Sequence, residues 1–403
     1  MPFGSINFEF VCAKCFSDEA LQDFVSGIAT SKKCDFCGRS SSKKIAAPFE
    51  EVSERVAECI GRYYDDPGNA GMSYVSAEGG YQGITYDTYE IFELMELDFP
   101  RKGGDALREE LASAMPNDLW SENEPYRLNA DDQLQYSWDS FCRLIKHKLR
   151  YFLTLTMRDD DDEIFSPSQL LKLIFSYAKG AGAFVTLPKG TSLHRARLQK
   201  PGEKHTQASS LGPPPENAAV QTNRMSPPGI VMTYLADDMR TALAETADKP
   251  GMFALGEFVT GRDALLLDLT HLPPVPSLFE DIPDALGYDP RPRILFLWKL
   301  SREISRPIAR DDRVHIEYLP TQVVTEYLRT SVTVDDKKVD GIRYRSSRNG
   351  VGTAIVLFAS RNNIELEPEA RDNFYHAYHD RWLALKSFDE KRVTAKSIAK
   401  WSR

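Results

Sequence analysis

The sequence predicts an α+β protein built in series: a cysteine knuckle, a helical region, then a mixed strand-and-helix domain. Three observations predict it. Four of the six cysteines lie in the first 37 residues, as two C-x2-C pairs. From Pro48 to Lys179, apolar residues recur at three- and four-residue steps, the period of a helix with one buried face. After Lys189, strand-like runs alternate with helical ones, the texture of an α+β domain.

Composition sets the outer limits. The chain has 403 residues, 42% of them hydrophobic, enough for a core and for two or three domains. No run reaches the roughly 18 apolar residues a membrane span needs. The start, MPFGSINFEF, lacks a basic segment followed by an apolar one, so a cytoplasmic location is expected. A net charge of −9 weighs against nucleic acid as the main partner, though it leaves room for a local basic patch.

The knuckle comes first, over residues 1–45. Cys12 and Cys15, then Cys34 and Cys37, form C-x2-C, an 18-residue spacer and C-x2-C. Each pair aims two thiolates at one point, and two pairs complete a tetrahedral Zn²⁺ site. Gly38 follows the last ligand and tolerates the left-handed backbone such turns use. With four protein ligands and no open position, the zinc is expected to be structural. Redox use of C-x-x-C is the weaker reading. Cys59 and Cys142 lack neighbours and read as small buried residues.

Residues 46–185 read as helical. Phe49, Val52, Val56, Cys59, Ile60 and Tyr63 mark one helix, and Thr85–Leu97, Asp105–Met115 and Trp138–Thr156 mark three more. The acidic run Asp159–Glu163 reads as a solvated loop. Ser166-Pro167-Ser168 caps a further helix, Gln169–Lys179. In residues 186–385, strands are expected at Gly256–Val259, Ala264–Leu269, Ile294–Leu297, Val314–Leu319, Ile342–Arg345 and Thr353–Ala359. Helices are expected at Asp238–Ala247 and Thr321–Thr330, with Thr321 as N-cap. Residues 386–403 read as a C-terminal helix or tail. His376 and His379 sit at helical spacing without a third ligand, and chance explains them better than a metal.

A long connection, Leu198 to Pro228, is rich in Pro and Gly. Loops of this length inside a domain are often binding loops. The segment that follows carries the chemistry: Asn223-Arg224-Met225-Ser226-Pro227-Pro228-Gly229, then Tyr234 closing a strand-like run, then Ala242-Leu243-Ala244-Glu245 closing a helix-like run. Upstream stands Leu193-His194-Arg195-Ala196-Arg197, and far downstream Tyr344-Arg345-Ser346-Ser347.

In these residues and their spacings the chain resembles the RES domain, a toxin module named for its Arg, Glu and Ser. The resemblance covers about residues 187–362. It places the family's Arg, Tyr and Glu on Arg224, Tyr234 and Glu245. The late Ser falls on Ser346, with Ser347 a close second. Trp-Asn of the family pattern is Met225-Ser226 here, and the usual Gly before the Arg is Asn223. The N-terminal half is similar to the helical region ahead of RES and HEPN ribonuclease domains. Its one Arg–His pair, Arg143 and His147, is too closely spaced for a HEPN nuclease. The resemblance implies an ADP-ribosyltransferase-like fold and cleavage of the nicotinamide–ribosyl bond of NAD⁺, by water or phosphate.

The residue types suit that chemistry. Breaking this bond builds positive charge on the ribose while neutral nicotinamide leaves. A carboxylate facing that charge, Glu245, supplies the main help. An Arg fork suits a pyrophosphate, with Arg224 the first candidate and Arg195 and Arg197 helpers. Tyr234 is placed to stack on a ring, and Ser346 to fix the pose. Tyr344 and Ser347 are expected to line the substrate site, and His194 to pack at its rim. Two other readings compete: transfer of ADP-ribose to a macromolecule chosen by the N-terminal half, and a non-catalytic zinc-knuckle module. Expected partners are NAD⁺ and an antitoxin or regulatory protein.

Overall fold

The computed structural model describes residues 9–100, 102–151, 163–283, 286–307, 313–350, 352–366 and 381–401. His376, His379 and most of the acidic run, Asp159–Asp162, lie outside the described residues. The chain divides into two compact units, residues 1–132 with 275–292, and residues 133–274 with 293–403.

In the first unit, β1 (Phe10–Cys12) carries the first ligand and runs into a 3-10 turn, Ala13–Cys15. Helix α1 (Glu19–Gly27) follows, capped by Asp18. Strand β2 (Ala46–Pro48) pairs antiparallel with β1, Cys12 opposite Ala46. Helix α2 (Phe49–Gly61) buries Val52, Val56, Cys59 and Ile60 on one face, as the spacing predicts. Short strands β3 (Tyr64–Asp65), β4 (Tyr74–Val75), β5 (Gly80–Tyr81) and β6 (Tyr86–Asp87) come next, where the sequence suggested only helix. Asp87 then caps α3 (Thr88–Leu94), with Glu90 completing a capping box. Helix α4 (Gly104–Ala114) and β7 (Leu119–Glu122) complete the run, β7 pairing with both β3 and β6. Phe16, Ile91, Phe92, Leu107 and Trp120 centre its core.

Residues 275–292 belong to this core although they lie late in the chain. Phe279 is buried among the residues just named. Arg55, itself buried, donates to the Phe279 carbonyl at 2.8 Å and pairs with Asp281 at 2.7 Å. Arg62 donates to Glu280 O, Tyr63 to Asp289, and Arg291 to Glu96.

The second unit opens with α5 (Ala130–His147) and α6 (Pro167–Gly180), the latter capped by Ser166 with Gln169. Helix α5 starts eight residues before the expected Trp138. Both helices pack here rather than with the N-terminal region to which the sequence assigned them. Their apolar faces, Trp138, Phe141, Ile145, Leu170, Ile174 and Phe175, cover the sheet.

Among the described residues that sheet has nine strands. β8 (Phe184–Leu187) and β9 (Ser192–Gln199) precede α7 (Ala208–Leu211), which with a 3-10 turn, Glu216–Ala218, partly structures the long connection. Then come β10 (Thr233–Ala236), α8 (Met239–Thr246), β11 (Gly251–Thr260) and β12 (Ala264–Asp268). Helices α9 (Arg291–Ser305), α10 (Val314–Glu317) and α11 (Leu319–Ser331) lead through a hairpin, β13 (Thr333–Val334) and β14 (Lys337–Lys338), to β15 (Gly341–Arg345) and β16 (Thr353–Leu357). β17 (Ile364–Glu365), β18 (Leu383–Val393) and α12 (Ala395–Trp401) finish the unit. The strand order is β17-β18-β11-β9-β10-β16-β15-β12-β8. The parallel pairs are β12 with β15 and β17 with β18.

Three expectations are overturned. Ile294–Leu297 is helix, not strand: Phe296, Leu297, Leu300 and Ile304 are buried at helical spacing. A short apolar run fits either period, and only the residues after it decide. Val314–Leu319 is likewise helical. The expected C-terminal helix is confined to Ala395–Trp401, and the tail is strand as far as Val393, where β18 runs antiparallel along β11, Gly251 opposite Val393 to Thr260 opposite Leu383. Its outward residues are charged, which hid the strand from a hydrophobicity reading.

One feature of the sheet positions the site. β10 and β9 pair at a single register position, Ala236 opposite His194. Each is laddered along its length to its other neighbour, β16 and β11. The ladder therefore parts in the middle of the sheet, between the strand carrying Arg195 and the strand carrying Tyr234.

Candidate active site

Glu245 enters from α8. Asp238 caps that helix, accepting from Thr241 N at 2.9 Å, and Ala242, Leu243 and Ala244 are buried beneath it. A helix clamped at its start and packed along one face holds its penultimate residue in a fixed place. Ser346 comes from the loop after β15, and its hydroxyl donates to Glu245 Oε1 at 2.5 Å. Ser346 is buried and accepts from Arg348 N and Asn349 N at 3.2 and 2.9 Å. Ser346 rather than Ser347 thus makes the bond to the carboxylate, and Ser347 is half-buried beside it.

Two residues the sequence did not single out carry this loop. Asn349 Nδ2 donates to Thr241 Oγ1 at 2.8 Å, and Thr241 Oγ1 donates to Asp238 Oδ2 at 2.6 Å. Gly352 lies so close that a Cβ there would be 2.1 Å from Thr241 Oγ1. One chain of hydrogen bonds, buried at Thr241, Asn349 and Ser346, therefore joins the N-cap of α8, the loop and Glu245. No motif in the sequence announces it; the partners lie 108 residues apart.

Around Glu245 stand aromatic rings. The register sets Tyr234 opposite Val356 and Tyr344 opposite Ala354, two residues apart on one face of β16. Tyr344 is 5% exposed. Burial, and next the charge of Glu245, push its hydroxyl far above the ordinary phenol range, so it stays neutral. Tyr344 is a floor under the site rather than an open lining residue. Tyr234 shares a hydrogen bond with Ser226 Oγ at 2.9 Å, and burial pushes it up to about 12. It is second in its strand, not last as expected.

The arginines separate into three cases. Arg224 is buried, its Nη2 donating to the Arg306 carbonyl at 2.7 Å and its guanidinium 5.2 Å from the Tyr318 ring centre. Its Nη1 is buried without a hydrogen-bond partner among the described residues. Arg195 Nη1 is in the same condition, and burial, then the charge of Arg197, lowers the guanidinium's pKa. Arg197 is turned outward, spending its Nη1 on the Ser210 carbonyl at 2.5 Å. The structure groups Glu245, Ser346, Tyr344, Tyr234 and Arg224, sets Arg195 beside Tyr234, and leaves Arg197 at the edge.

The departures from the family pattern find structural use. Met225 is fully buried, its sulfur taking a hydrogen bond from Thr325. Ser226 holds Tyr234. Thr321 is not an N-cap: Tyr318 and Pro320 start α11, and Thr321 Oγ1 donates to the Arg224 carbonyl at 2.7 Å. Gln322 Nε2 donates to Asn223 O at 2.7 Å. The first turn of α11 thus grips the arginine loop.

The cysteine site stands apart, in the first unit. The four sulfurs of Cys12, Cys15, Cys34 and Cys37 lie within 4.8 Å of one another, with three pairs at 3.6, 3.6 and 3.8 Å. A tetrahedral ion with Zn–S bonds of about 2.3 Å sets its sulfurs about 3.8 Å apart, so the geometry fits a metal. The hydrogen bond to Cys12, then that to Cys34 and burial, push Cys15 far up, so four thiolates need a cation to coexist. Gly38 takes φ +69°, as the turn requires.

A split mixed sheet with a carboxylate, a serine and buried arginines at the parting defines a candidate for chemistry on an anionic, ring-bearing substrate. The family model described as RES domain matches residues 192–376, and that described as HEPN/RES N-terminal domain 1 matches residues 28–159. The chain is a HEPN/RES N-terminal domain followed by a RES domain. No curated protein and no solved structure matches it. Among the described residues, no helix is long and apolar enough to cross a membrane.

Proposed function

We propose that the chain is an NAD⁺-consuming toxin that cleaves the nicotinamide–ribosyl bond, by hydrolysis or phosphorolysis. The observation that carries this reading is the Ser346–Glu245 bond, which aims a carboxylate into the cluster of Tyr234, Tyr344 and Arg224. As nicotinamide leaves, positive charge develops on the ribose, and Glu245 is the fixed negative group that faces it. No general acid is required, because nicotinamide departs neutral. Ser346 restrains the carboxylate's rotamers, which lowers the reorganisation needed in the transition state. Arg195 and Arg224 each keep a buried N–H without an acceptor among the described residues. Such a donor is unfavourable by about 1–3 kcal/mol, a deficit that a pyrophosphate oxygen relieves. Tyr234, neutral and held by Ser226, offers a ring face and excludes water.

The test is nicotinamide release from NAD⁺ by the purified chain. Release that Glu245→Ala abolishes supports the reading; no release, or equal release from that variant, refutes it. The mass of the product formed with and without phosphate separates phosphorylase from hydrolase.

The four cysteines would hold one structural Zn²⁺ per chain, closing the two knuckles and leaving no position for a reacting group. Metal analysis giving about one zinc, lost in Cys34→Ser, is the expected result.

A further inference from the structure

The acidic balance of the chain hides a local reversal. Between Ile28 and Pro48 stand Lys32, Lys33, Arg39, Lys43 and Lys44 against one acid, Asp35. This stretch carries +4 in a chain of −9, leaving −13 for the rest. All five cations are exposed, and so is Lys14 between the ligands of the first knuckle. The backbone gathers them. Lys33 lies opposite Ser40 across an antiparallel bridge, Ser41 N donates to Lys32 O, and Cys34 N donates to Arg39 O. Lys14, Lys33 and Arg39 each stand within two residues of a clustered cysteine.

The one acid does not neutralise them. Asp35 faces inward, its Oδ2 accepting from Phe10 N at 3.0 Å and Glu9 N at 3.2 Å, and its contact with Lys33 is at the 4.0 Å limit. Closer pairs stand elsewhere in this unit, Arg291 with Glu96 at 2.9 Å and Arg55 with Asp281 at 2.7 Å. Exposed hydroxyls of Ser40, Ser41 and Ser42 lie among the basic residues. Clustered ammonium groups, one planar guanidinium and interleaved hydroxyls on a rigid turn match a row of phosphates.

We infer that the second knuckle and its hairpin are a nucleic-acid-binding surface that grips the phosphate backbone through Lys14, Lys32, Lys33, Arg39, Lys43 and Lys44. Among the described residues the surface presents no exposed aromatic ring for stacking, so the contact is electrostatic and independent of sequence. This gives the N-terminal domain a ligand class of its own, separate from the proposed NAD⁺ chemistry.

The full chain, loaded with zinc, is titrated against short labelled single-stranded and duplex oligonucleotides by fluorescence anisotropy at several salt concentrations. Binding to either arm is expected. For six phosphate contacts, log K should fall against log salt with a slope of about −5 on duplex and about −4 on single strands. The reversal Lys32→Glu, Lys33→Glu, Arg39→Glu should weaken binding at least tenfold and flatten the slope, with zinc content unchanged. Lys43→Gln with Lys44→Gln, outside the cysteine turn, should weaken it by a smaller factor. Reversing Lys391 and Arg392 on β18 should change nothing. The inference is overturned by no binding at about 50 mM salt. It is also overturned by binding that the knuckle variants leave intact, by equal loss in the β18 variant, or by binding of heparin without nucleic acid.

Discussion

The Ser346 hydroxyl donates to Glu245 Oε1 at 2.5 Å, joining a loop after β15 to the end of α8 across 101 residues. A hydrogen bond to a carboxylate is worth about 1.5–3 kcal/mol. Ser346→Ala should therefore cut kcat/KM for nicotinamide release roughly ten- to hundred-fold. Glu245→Gln removes the charge itself and should cost about a hundred- to a thousand-fold. Ser347→Ala should leave the rate within about twofold, since removing an exposed or half-exposed side chain without a structural bond changes little. A larger loss in Ser347→Ala than in Ser346→Ala would reverse the assignment.

The cap of α8 makes the site acid-sensitive in a defined direction. Desolvation raises the Asp238 carboxyl, but the bonds from the Thr241 side chain and backbone outweigh it and hold the group below its ordinary value. Its contribution to stability is thus fully present above the unfolded-state pKa and fades as the pH falls through the folded one. Asp238→Asn keeps a capping side chain and loses the charge. Melting temperatures of wild type and variant should differ near neutrality and converge below about pH 4. Gly352→Ala, which drives a Cβ onto Thr241, should lower both the melting temperature and the rate at every pH. A gap that widened in acid would contradict the role given to Asp238.

The clamp on the arginine loop separates binding from turnover. Thr321→Val deletes the hydrogen bond to the buried Arg224 carbonyl, an unsatisfied group costing about 1–3 kcal/mol. The loop then holds Arg224 less firmly, and KM should rise roughly five-fold or more with a smaller change in kcat. Thr321→Ser keeps the hydroxyl and should restore KM. Equal effects of Val and Ser would leave Thr321 a packing residue only.

These partners show what the sequence could and could not disclose. Cys12, Cys15, Cys34 and Cys37 were legible because a metal site needs fixed spacing in a short stretch, and their sulfurs do converge. The coming together of Arg224, Tyr234, Glu245 and Ser346 was legible through the joint pattern of a family, not through any one of them. The hydrogen-bond chain Asp238–Thr241–Asn349 was not legible, because threonine and asparagine in turns serve caps and loops everywhere. Arg197 looked like Arg195 in the sequence. The two share a face of β9, and the pull of the Ser210 carbonyl at the strand's more exposed end is what separates them. The charged outer face of β18 concealed a strand whose pairing with β11 only the three-dimensional ladder reveals.

The packing of α5, α6 and residues 275–292 bears on where the chain can be cut. A fragment starting near residue 186 holds all the proposed catalytic residues. It lacks α5 and α6, whose Trp138, Phe141, Leu170, Ile174 and Phe175 fill the core over the sheet. It also keeps residues 275–292 without the first unit, so Phe279 and Arg291 lose their partners there. Each buried aromatic side chain taken out of such a core costs about 3–5 kcal/mol, against a total domain stability of about 5–15 kcal/mol. The fragment 186–403 should therefore be insoluble or lack a cooperative melting transition. Its failure to arrest growth would then report folding rather than lost activity. A fragment from Gln133 restores the cover and should melt cooperatively, and Phe279→Ser should improve its solubility. In the full chain the same substitution should instead lower the melting temperature, because there Phe279 is 2% exposed in a packed core. A soluble, cooperatively melting 186–403 fragment would show that α5 and α6 are not needed by the sheet they cover.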